Sequence, residues 1–309
     1  MRSDKVYVVV PYFNPLQFES RKRLFLQFKK EMEAAGVQLL VVEAALDDIP
    51  FQVTDPCDDW AVQIRTNSFL WHKERLINIG ITKLFHNSPD AWYIGWFDGD
   101  ISFTDPDWPY LAMHALRNFE VIQPFAQAIF LDRHEEELWN CKSTFCYFLD
   151  ARGYHQVPPL QWQYLMAGHP GLAWMATARA LKALGGVYDK CAAGSGDTVM
   201  ANALKGAWDV FLPVHPTGNW ARSMQDWAGR CESHIQGKIG FARGALLHHW
   251  HGPAEKRGYE KRWSILSFHD FDPDKDLVLE PNGLYRWAGN KPGLEQDVRR
   301  SLSERNEDE

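Results

Sequence analysis

The sequence predicts an α/β fold in which a mixed, mostly parallel sheet is flanked by helices. Three observations carry this expectation. Apolar runs at Lys5–Pro11 (KVYVVVP) and Val37–Val42 bracket a stretch with helical apolar spacing. A strand–helix–strand unit of that kind implies parallel pairing through a right-handed crossover. Strand-like and helix-like patterns then keep alternating to about residue 125, and one of the apolar runs, Ala91–Phe97, stops abruptly at Asp98-Gly99-Asp100. Ligands of α/β sheets bind at the carboxyl ends of strands, so that ending marks a candidate site.

Taken in order, Lys5–Pro11 is a buried first strand. Asn14-Pro15 supplies a helix N-cap followed by proline at the first helical position. The helix continues through Phe25, Phe28, Met32 and Ala35 and stops at Gly36. Val37–Val42 is the second strand, Ala61–Arg65 a short third, His72–Phe85 a helix and 91–97 the next strand. Trp108–Asn118 has helical spacing and Glu120–Phe125 strand character. Residues 131–165 turn charged, then aromatic and proline-containing, which is the composition of an insertion or lid over a site. Gly168–Gly171 is a turn, Thr177–Leu184 a helix closed by Gly185-Gly186, and Asp197 opens a helix reaching about Lys205. Ala245–His248 is a last short strand, and Ser301–Glu309 is a polar, acidic stretch expected to fray. With no internal repeat and no linker, one domain is expected over 1–290, in two halves at about 1–125 and 126–290. A C-terminal helix and acidic tail follow at 291–309.

Bulk properties narrow the class. The 309 residues are 45% hydrophobic and 24% charged, which is ordinary globular composition. No apolar run reaches the roughly 18 residues of a membrane span. The opening residues lack a signal-peptide pattern. Five scattered cysteines (Cys57, Cys141, Cys146, Cys191, Cys231) without a Cys-x-x-Cys pair read as reduced thiols of a cytoplasmic protein. A net charge of -7 gives no general basic footprint for nucleic acid. Fourteen tryptophans suit sugar or base platforms, and equally an aromatic core.

Four separated features have chemistry. Asp98 and Asp100 are paired acids whose mutual repulsion and desolvation call for a cation, and oxygen ligands suit a hard divalent ion. Gly99 between them leaves room for close approach. His248, His249 and His251, followed by Gly252, are three imidazoles in four positions at a strand end. One imidazole with one or two carboxylates suits manganese. Gly194-Ser-Gly196-Asp197 places an acid in the first turn of a helix, where it can cap the turn or act as a general base. Arg257-Gly-Tyr259 with Arg262 offers cations for a diphosphate or, equally, a solvated helix face.

Together these residues resemble the metal-dependent GT-A (Rossmann-like) glycosyltransferases, the family-2 group and the β-1,4-galactosyltransferase-like enzymes above all, over most of the chain. Val8–Asn14 looks like the first strand and turn that meet the nucleotide, which implies contacts from Pro11, Tyr12 and Asn14. Glu43, at the end of the second strand, corresponds to an acid near the nucleobase. The run from His72 through Lys73 and Asn78 to Gly80 is similar to the family segment carrying a basic residue, an asparagine and a glycine. Asp98-Gly99-Asp100 matches the DxD motif. Gly168–Ala173, with Gly171, is similar to the donor loop, and Gly185–Asp189 to the segment before the catalytic acid. Asp197 falls on the Glu-Asp motif, with Thr198 standing where many members have a second carboxylate. The His-x-x-His-Gly pattern resembles the metal histidine, His251 preferred over His248. Phe271-Asp-Pro and the Arg-Asn-Glu-Asp ending look like bacterial and phage members.

The resemblance implies a hexosyltransferase using Mn2+ or Mg2+ held by Asp98, Asp100, His248 and His251, and a UDP-sugar donor. Arg257, Tyr259 and Arg262 would meet the donor, and Asp197 would be the base of an inverting displacement. The acceptor would be a saccharide of a surface polymer, or a hydroxymethylated DNA base stacked among Trp139, Tyr147 and Trp162. A metal-dependent hydrolase or phosphodiesterase and a non-catalytic carbohydrate-binding protein are the competing classes.

Overall fold

The computed structural model describes residues 5–141, 144–146, 168–209 and 212–309. The first strand, β1 (Val6–Phe13), shows how the core is divided. Successive side chains of a strand point to opposite faces. Tyr7 and Val9 enter one apolar cluster, and Val6, Val8, Val10 and Tyr12 enter the other. Helix α1 (Glu19–Ala34) covers the second face with Phe25, Phe28 and Met32. Helix α2 (Lys73–Asn87) covers the first with Leu76, Ile77, Ile81 and Leu84. Gly80 allows α2 to lie close to the sheet, because a Cβ there would stand 2.8 Å from Val42.

β1 pairs in parallel with β2 (Gln38–Leu46) and β4 (Tyr93–Phe97), and β2 with β3 (Ala61–Thr66). Beyond β4 come β9 (Ala173–Thr177), antiparallel to both neighbours, then β6 (Val121–Gln123) and β10 (Ile239–Phe241). The seven-stranded sheet, in the order β10-β6-β9-β4-β1-β2-β3, is therefore mixed and mostly parallel, as expected. A second sheet, β5-β11-β7-β8, joins β5 (Ile101–Phe103), β7 (Gln127–Leu131), β8 (Glu137–Cys141) and β11 (Ala245–His248). Further α-helices among the described residues are α3 (Trp108–Ala115), α4 (Ala178–Leu184), α5 (Gly196–Leu204), α6 (Gly218–His234), α7 (Tyr259–Phe268), α8 (Pro273–Asp276) and α9 (Pro292–Ser303), with a small hairpin, β12 (Leu277–Leu279) and β13 (Tyr285–Trp287).

Several expectations need correction. Helix α1 starts at Glu19, not at Asn14-Pro15. Gln17, at φ +57°, interrupts the chain there, and Asn14 closes the turn instead, its Oδ1 accepting from the Phe18 amide at 3.0 Å. Glu43 lies inside β2, because that strand runs on to Leu46. The stretch after Gly171 is β9, which packs Trp174, Met175 and Ala176 into the core. The expected insertion begins as the β7–β8 hairpin, with the Asp132 carboxylate accepting the amides of His134 and Glu136 at its turn. Tyr147 and Trp162 lie outside the described residues, and only the backbone place of Trp139, in β8, is described.

The end of the chain is not frayed. Glu307 is 2% exposed, and Asp308 accepts the amides of Glu19 and Ser20 at the start of α1. Two arginines beside Glu307 compensate the cost of burying it. Among the described residues seven tryptophans are buried in the core, including Trp96, Trp108, Trp174, Trp220 and Trp227. Cys57, Cys146, Cys191 and Cys231 are free thiols. Among the described residues no helix is long and apolar enough to cross a membrane.

Candidate functional site

The passage of the chain from the first sheet into the second builds the site. β4 ends at Phe97, and the Asp98 amide still donates to the Leu172 carbonyl at 2.8 Å, so the chain leaves the sheet only at Gly99. It enters the second sheet as β5, antiparallel to β11 with Ile101 opposite His248. That register ties the His249 amide to the Asp100 carbonyl at 2.9 Å and sets Asp100 beside the histidine segment. A cavity of about 370 Å³ opens here, at the carboxyl ends of β1 and β4.

Three side chains converge in one corner. His251 Nε2 lies 2.9 Å from one Asp100 oxygen, His248 Nε2 4.0 Å from the other, and the two nitrogens are 3.3 Å apart. All three ligand atoms fall within 4.8 Å of one another. Asp100 Oδ1 is buried without a hydrogen-bond partner. Burial opposes ionisation of Asp100, but His251, His248 and Arg257 outweigh it and hold the carboxyl well below the usual range. Burial holds His248 far below its usual value, neutral as a ligand must be. A carboxylate with one orphaned oxygen, beside two imidazole nitrogens, fits a divalent cation, one acid and two histidines being a donor set that suits manganese. His249 is turned away, its Nε2 2.7 Å from Ser102 Oγ. Asp98 does not join the three: Lys73 Nζ forms an ion pair with it. Burial and the adjacent Asp100 charge raise Asp98. Gly99 lines the cavity, yet the space a Cβ would need is taken by Phe25, 2.7 Å away, so α1 packing requires the glycine.

A second corner is cationic. Arg257 and Arg262 are 9% and 5% exposed, and the Nε of each has no partner. Among the described residues neither meets a carboxylate at ion-pair distance. Arg262 donates to the Arg257 carbonyl at 2.9 Å and lies over the rings of Tyr259 (5.0 Å) and Trp71 (5.2 Å). Arg305 also lies 5.2 Å over Trp71. Burial lowers Arg262 and Arg305, as expected where buried cations exceed their counter-ions. Isolated buried charges are costly, so this corner is built to receive an anion.

Asp197 stands in the first turn of α5 and lines the same cavity, its Oδ1 accepting from the Thr198 amide at 2.8 Å. Gly171 faces it so closely that a Cβ would overlap Asp197 Oδ2. Gly196 is equally pinned, because a Cβ would stand 2.5 Å from Glu74 Oε1. Burial raises Glu74 to about 7, with Lys73 opposing and Asp197 adding to the shift. His169 completes this side. Its Nδ1 accepts the Gly171 amide at 3.1 Å, and burial lowers it to about 4 against the pull of Asp197.

Of the sequence-predicted residues, Pro11, Tyr12, Lys73, Asp98, Gly99, Asp100, Asp197, His248, His251, Arg257, Tyr259 and Arg262 share this cavity. Gly171 lines a smaller pocket next to it. Asn14, Glu43 and Asn78 lie outside its lining. Glu43 accepts the amides of Val53 and Thr54, and Asn78 exchanges bonds with Val187 while reaching Asp189 at 2.9 Å. These three fasten loops. Sequence reasoning missed Arg21, Trp71, Glu74, His169, Arg305 and Glu307, all in the lining. His169 and Glu74 sit beside residues already singled out. Arg21, Arg305 and Glu307 carry no local signal.

No family model matches the chain, and no curated protein matches it. Solved structures align weakly. The catalytic domain of Drosophila β1,4-galactosyltransferase 7 bound to xylobiose is 10% identical at TM-score 0.36, covering 95% of this chain and 98% of that one. A mutant of the same enzyme, with manganese, UDP-Gal and xylobiose, is 10% identical at 0.32, covering 78% of this chain and 64% of that one, so this chain spans just under two thirds of its length. A glycosyltransferase involved in glycosylation of the major capsid of PBCV-1 is 8% identical at 0.33, covering 79% and 93%. A putative glucose-1-phosphate thymidylyltransferase from Bacillus anthracis is 5% identical at 0.36, covering 78% and 88%. Different activities at equal TM-scores show that such likenesses carry no argument, and the functional reading rests on the site alone.

Proposed function

We propose that the chain is a metal-dependent glycosyltransferase that moves a hexose from a nucleotide-diphosphate sugar, UDP-linked, to an acceptor hydroxyl with inversion. One observation carries this reading: a single cavity holds a cation-seeking corner (Asp100, His248, His251) and an anion-seeking corner (Arg257, Arg262), at the carboxyl ends of the central strands. A diphosphate bound to a divalent cation satisfies both corners at once. Asp100, His248 and His251 would hold Mn2+ or Mg2+, whose Lewis acidity offsets charge on a departing diphosphate. Arg257 and Arg262 donate to the diphosphate oxygens and stabilise the same charge. Lys73, paired with Asp98, opposes the rise that burial imposes on that acid and orients it beside the cation corner. So held by Lys73, Asp98 would meet the ribose or the edge of the cation shell.

Asp197 takes the proton of the acceptor hydroxyl as its oxygen bonds to the anomeric carbon and the carbon–phosphate oxygen bond breaks. The nucleoside diphosphate leaves, and configuration inverts. The acceptor in this proposal is a saccharide hydroxyl.

Incubation with a panel of UDP-sugars and Mn2+, following UDP release and the product anomer by NMR, tests the proposal. An inverted glycoside is expected, with transfer abolished in Asp197→Asn while donor binding persists. A retained anomer removes the role given to Asp197. Donor cleavage that is indifferent to every acceptor points to a hydrolase instead.

A further inference from the structure

The last residues of the chain fold back onto the proposed metal corner, and the contacts are specific. Arg21 grips Glu307 with two parallel bonds, Nη2 to Oε1 at 2.6 Å and Nε to Oε2 at 2.8 Å. Arg305 Nε stands 3.1 Å from Oε1. On its other side, Glu307 Oε2 lies 3.7 Å from Nδ1 of His251, an atom with no hydrogen-bond partner. The backbone of the segment lies directly on Gly252, where a Cβ would meet the Asn306 carbonyl at 2.8 Å and Glu307 Cα at 3.1 Å. Gly252 also has φ +89°, so both space and conformation at that position serve the passage of the tail. Asp308 fixes the far end by accepting two amides at the start of α1, and the Trp250 indole donates to the Glu309 carbonyl at 2.8 Å.

We infer that Arg305–Asp308 is a strap that completes the metal corner, with Glu307 as the positioning residue that holds the His251 ring so that Nε2 faces Asp100 and His248. The inference rests on the reading of those three residues as a cation site. A ligating imidazole ordinarily gives its other N–H to a carboxylate or carbonyl, which fixes the tautomer and the ring plane. Glu307 is the acid placed to do this for His251. The strap also joins two corners of the cavity: Glu307 faces the cation side, and Arg305, two residues earlier, lies over Trp71 beside Arg262. Because strap docking and cation binding favour the same His251 orientation, each strengthens the other by the same factor.

Mn2+ alone is the probe, measured on the full chain by calorimetry and by loss of the free-ion EPR signal. Hydrogen exchange is read by mass spectrometry with and without the ion. Wild type is expected to bind Mn2+ and to slow exchange at 305–308 on doing so. Glu307→Ala should weaken Mn2+ binding by about 10- to 100-fold. Glu307→Gln should recover part of the loss, because its amide oxygen offers Nδ1 an acceptor in the same place. Asp308→Ala, which frees the strap without touching His251, should weaken binding by a smaller factor. A strap that serves only folding would leave exchange at 305–308 indifferent to Mn2+ and Gln no better than Ala, and either result overturns the inference. Unchanged Mn2+ affinity in both Glu307→Ala and Asp308→Ala overturns it too. If wild type fails to bind Mn2+, or Asp100→Ala binds it equally well, the metal site itself is wrong and the inference falls with it.

Discussion

Gly171→Ala isolates the role of Asp197 with one methyl group. The backbone at 171 is compatible with any L residue, since its φ lies outside the positive region. The added Cβ would overlap Asp197 Oδ2 and stand 3.2 Å from His169 Cε1 and 3.5 Å from Asp197 Cγ. Carbon–oxygen contacts relax near 3.5 Å, so the carboxylate must withdraw by about 1 Å. It cannot simply rotate in place, because Oδ1 is held by the Thr198 amide at 2.8 Å. A misplacement of about 1 Å costs on the order of 100-fold in rate, or about 2.7 kcal/mol of activation free energy. Overpacking adds a stability cost of about 1–3 kcal/mol. The cation and arginine corners are untouched, so the donor should bind as in wild type. The assay pairs kcat for transfer with calorimetric donor affinity and Tm. A kcat within about threefold of wild type would refute the placement of Asp197 as base, and a loss confined to donor affinity would assign Gly171 to the donor instead.

Arg262→Met should separate function from stability. Donor affinity is expected to fall by about 2 kcal/mol, roughly 30-fold in Kd. The ligand-free Tm should hold or rise, because a buried cation without a counter-ion is removed; a lower Tm with unchanged affinity would contradict this. His72 supplies a pH prediction. Burial holds it at about 4, against an ordinary 6.5, with Nε2 at 3.0 Å from the Ser68 carbonyl. The unfolded chain therefore binds the extra proton between these values, and the stabilisation, up to about 3 kcal/mol, is full above pH 6.5 and lost as pH falls toward 4. His72→Leu should flatten the denaturant-measured stability profile in that window by up to one proton, and an unchanged slope would refute it. Asn78→Ala should cost about 1–3 kcal/mol through its lost bonds to Val187 and Asp189, visible as a lower Tm. Donor affinity should be unchanged, and weaker donor binding at normal Tm would return Asn78 to the site.

The parts legible in the sequence were those governed by local chemistry. The alternation of β1 and the apolar face of α2 follow from side-chain periodicity, so strand–helix–strand could be read directly. Asp98-Gly99-Asp100 and His248–His251 were legible because acids and imidazoles at strand ends are unusual. What brings them together is the β5–β11 register, and three-residue strands such as β5 and β10 carry almost no periodic signal. His248 and His251 form a three-residue cluster with Asp100, and His249 stands outside it. Asn14 misled because its capping chemistry is real but spent on a turn. The tail misled most: Arg-Asn-Glu-Asp has the composition of a frayed end, and only the tertiary partner Arg21, 286 residues away, makes Glu307 a buried residue. Helix α6 carries Trp220, Met224, Trp227 and Cys231 on one buried face, a spacing that local periodicity makes legible.

The central claim is that one cavity binds a nucleoside diphosphate through a divalent cation on Asp100, His248 and His251 together with Arg257 and Arg262. Calorimetric titration of UDP into the protein, with Mn2+ and again with a chelator, tests it most directly. The account predicts saturable binding with Mn2+ that weakens by tenfold or more (about 1.4 kcal/mol or more) on chelation and in Asp100→Ala. Equal UDP affinity with and without the cation, or no binding under either condition, would contradict it.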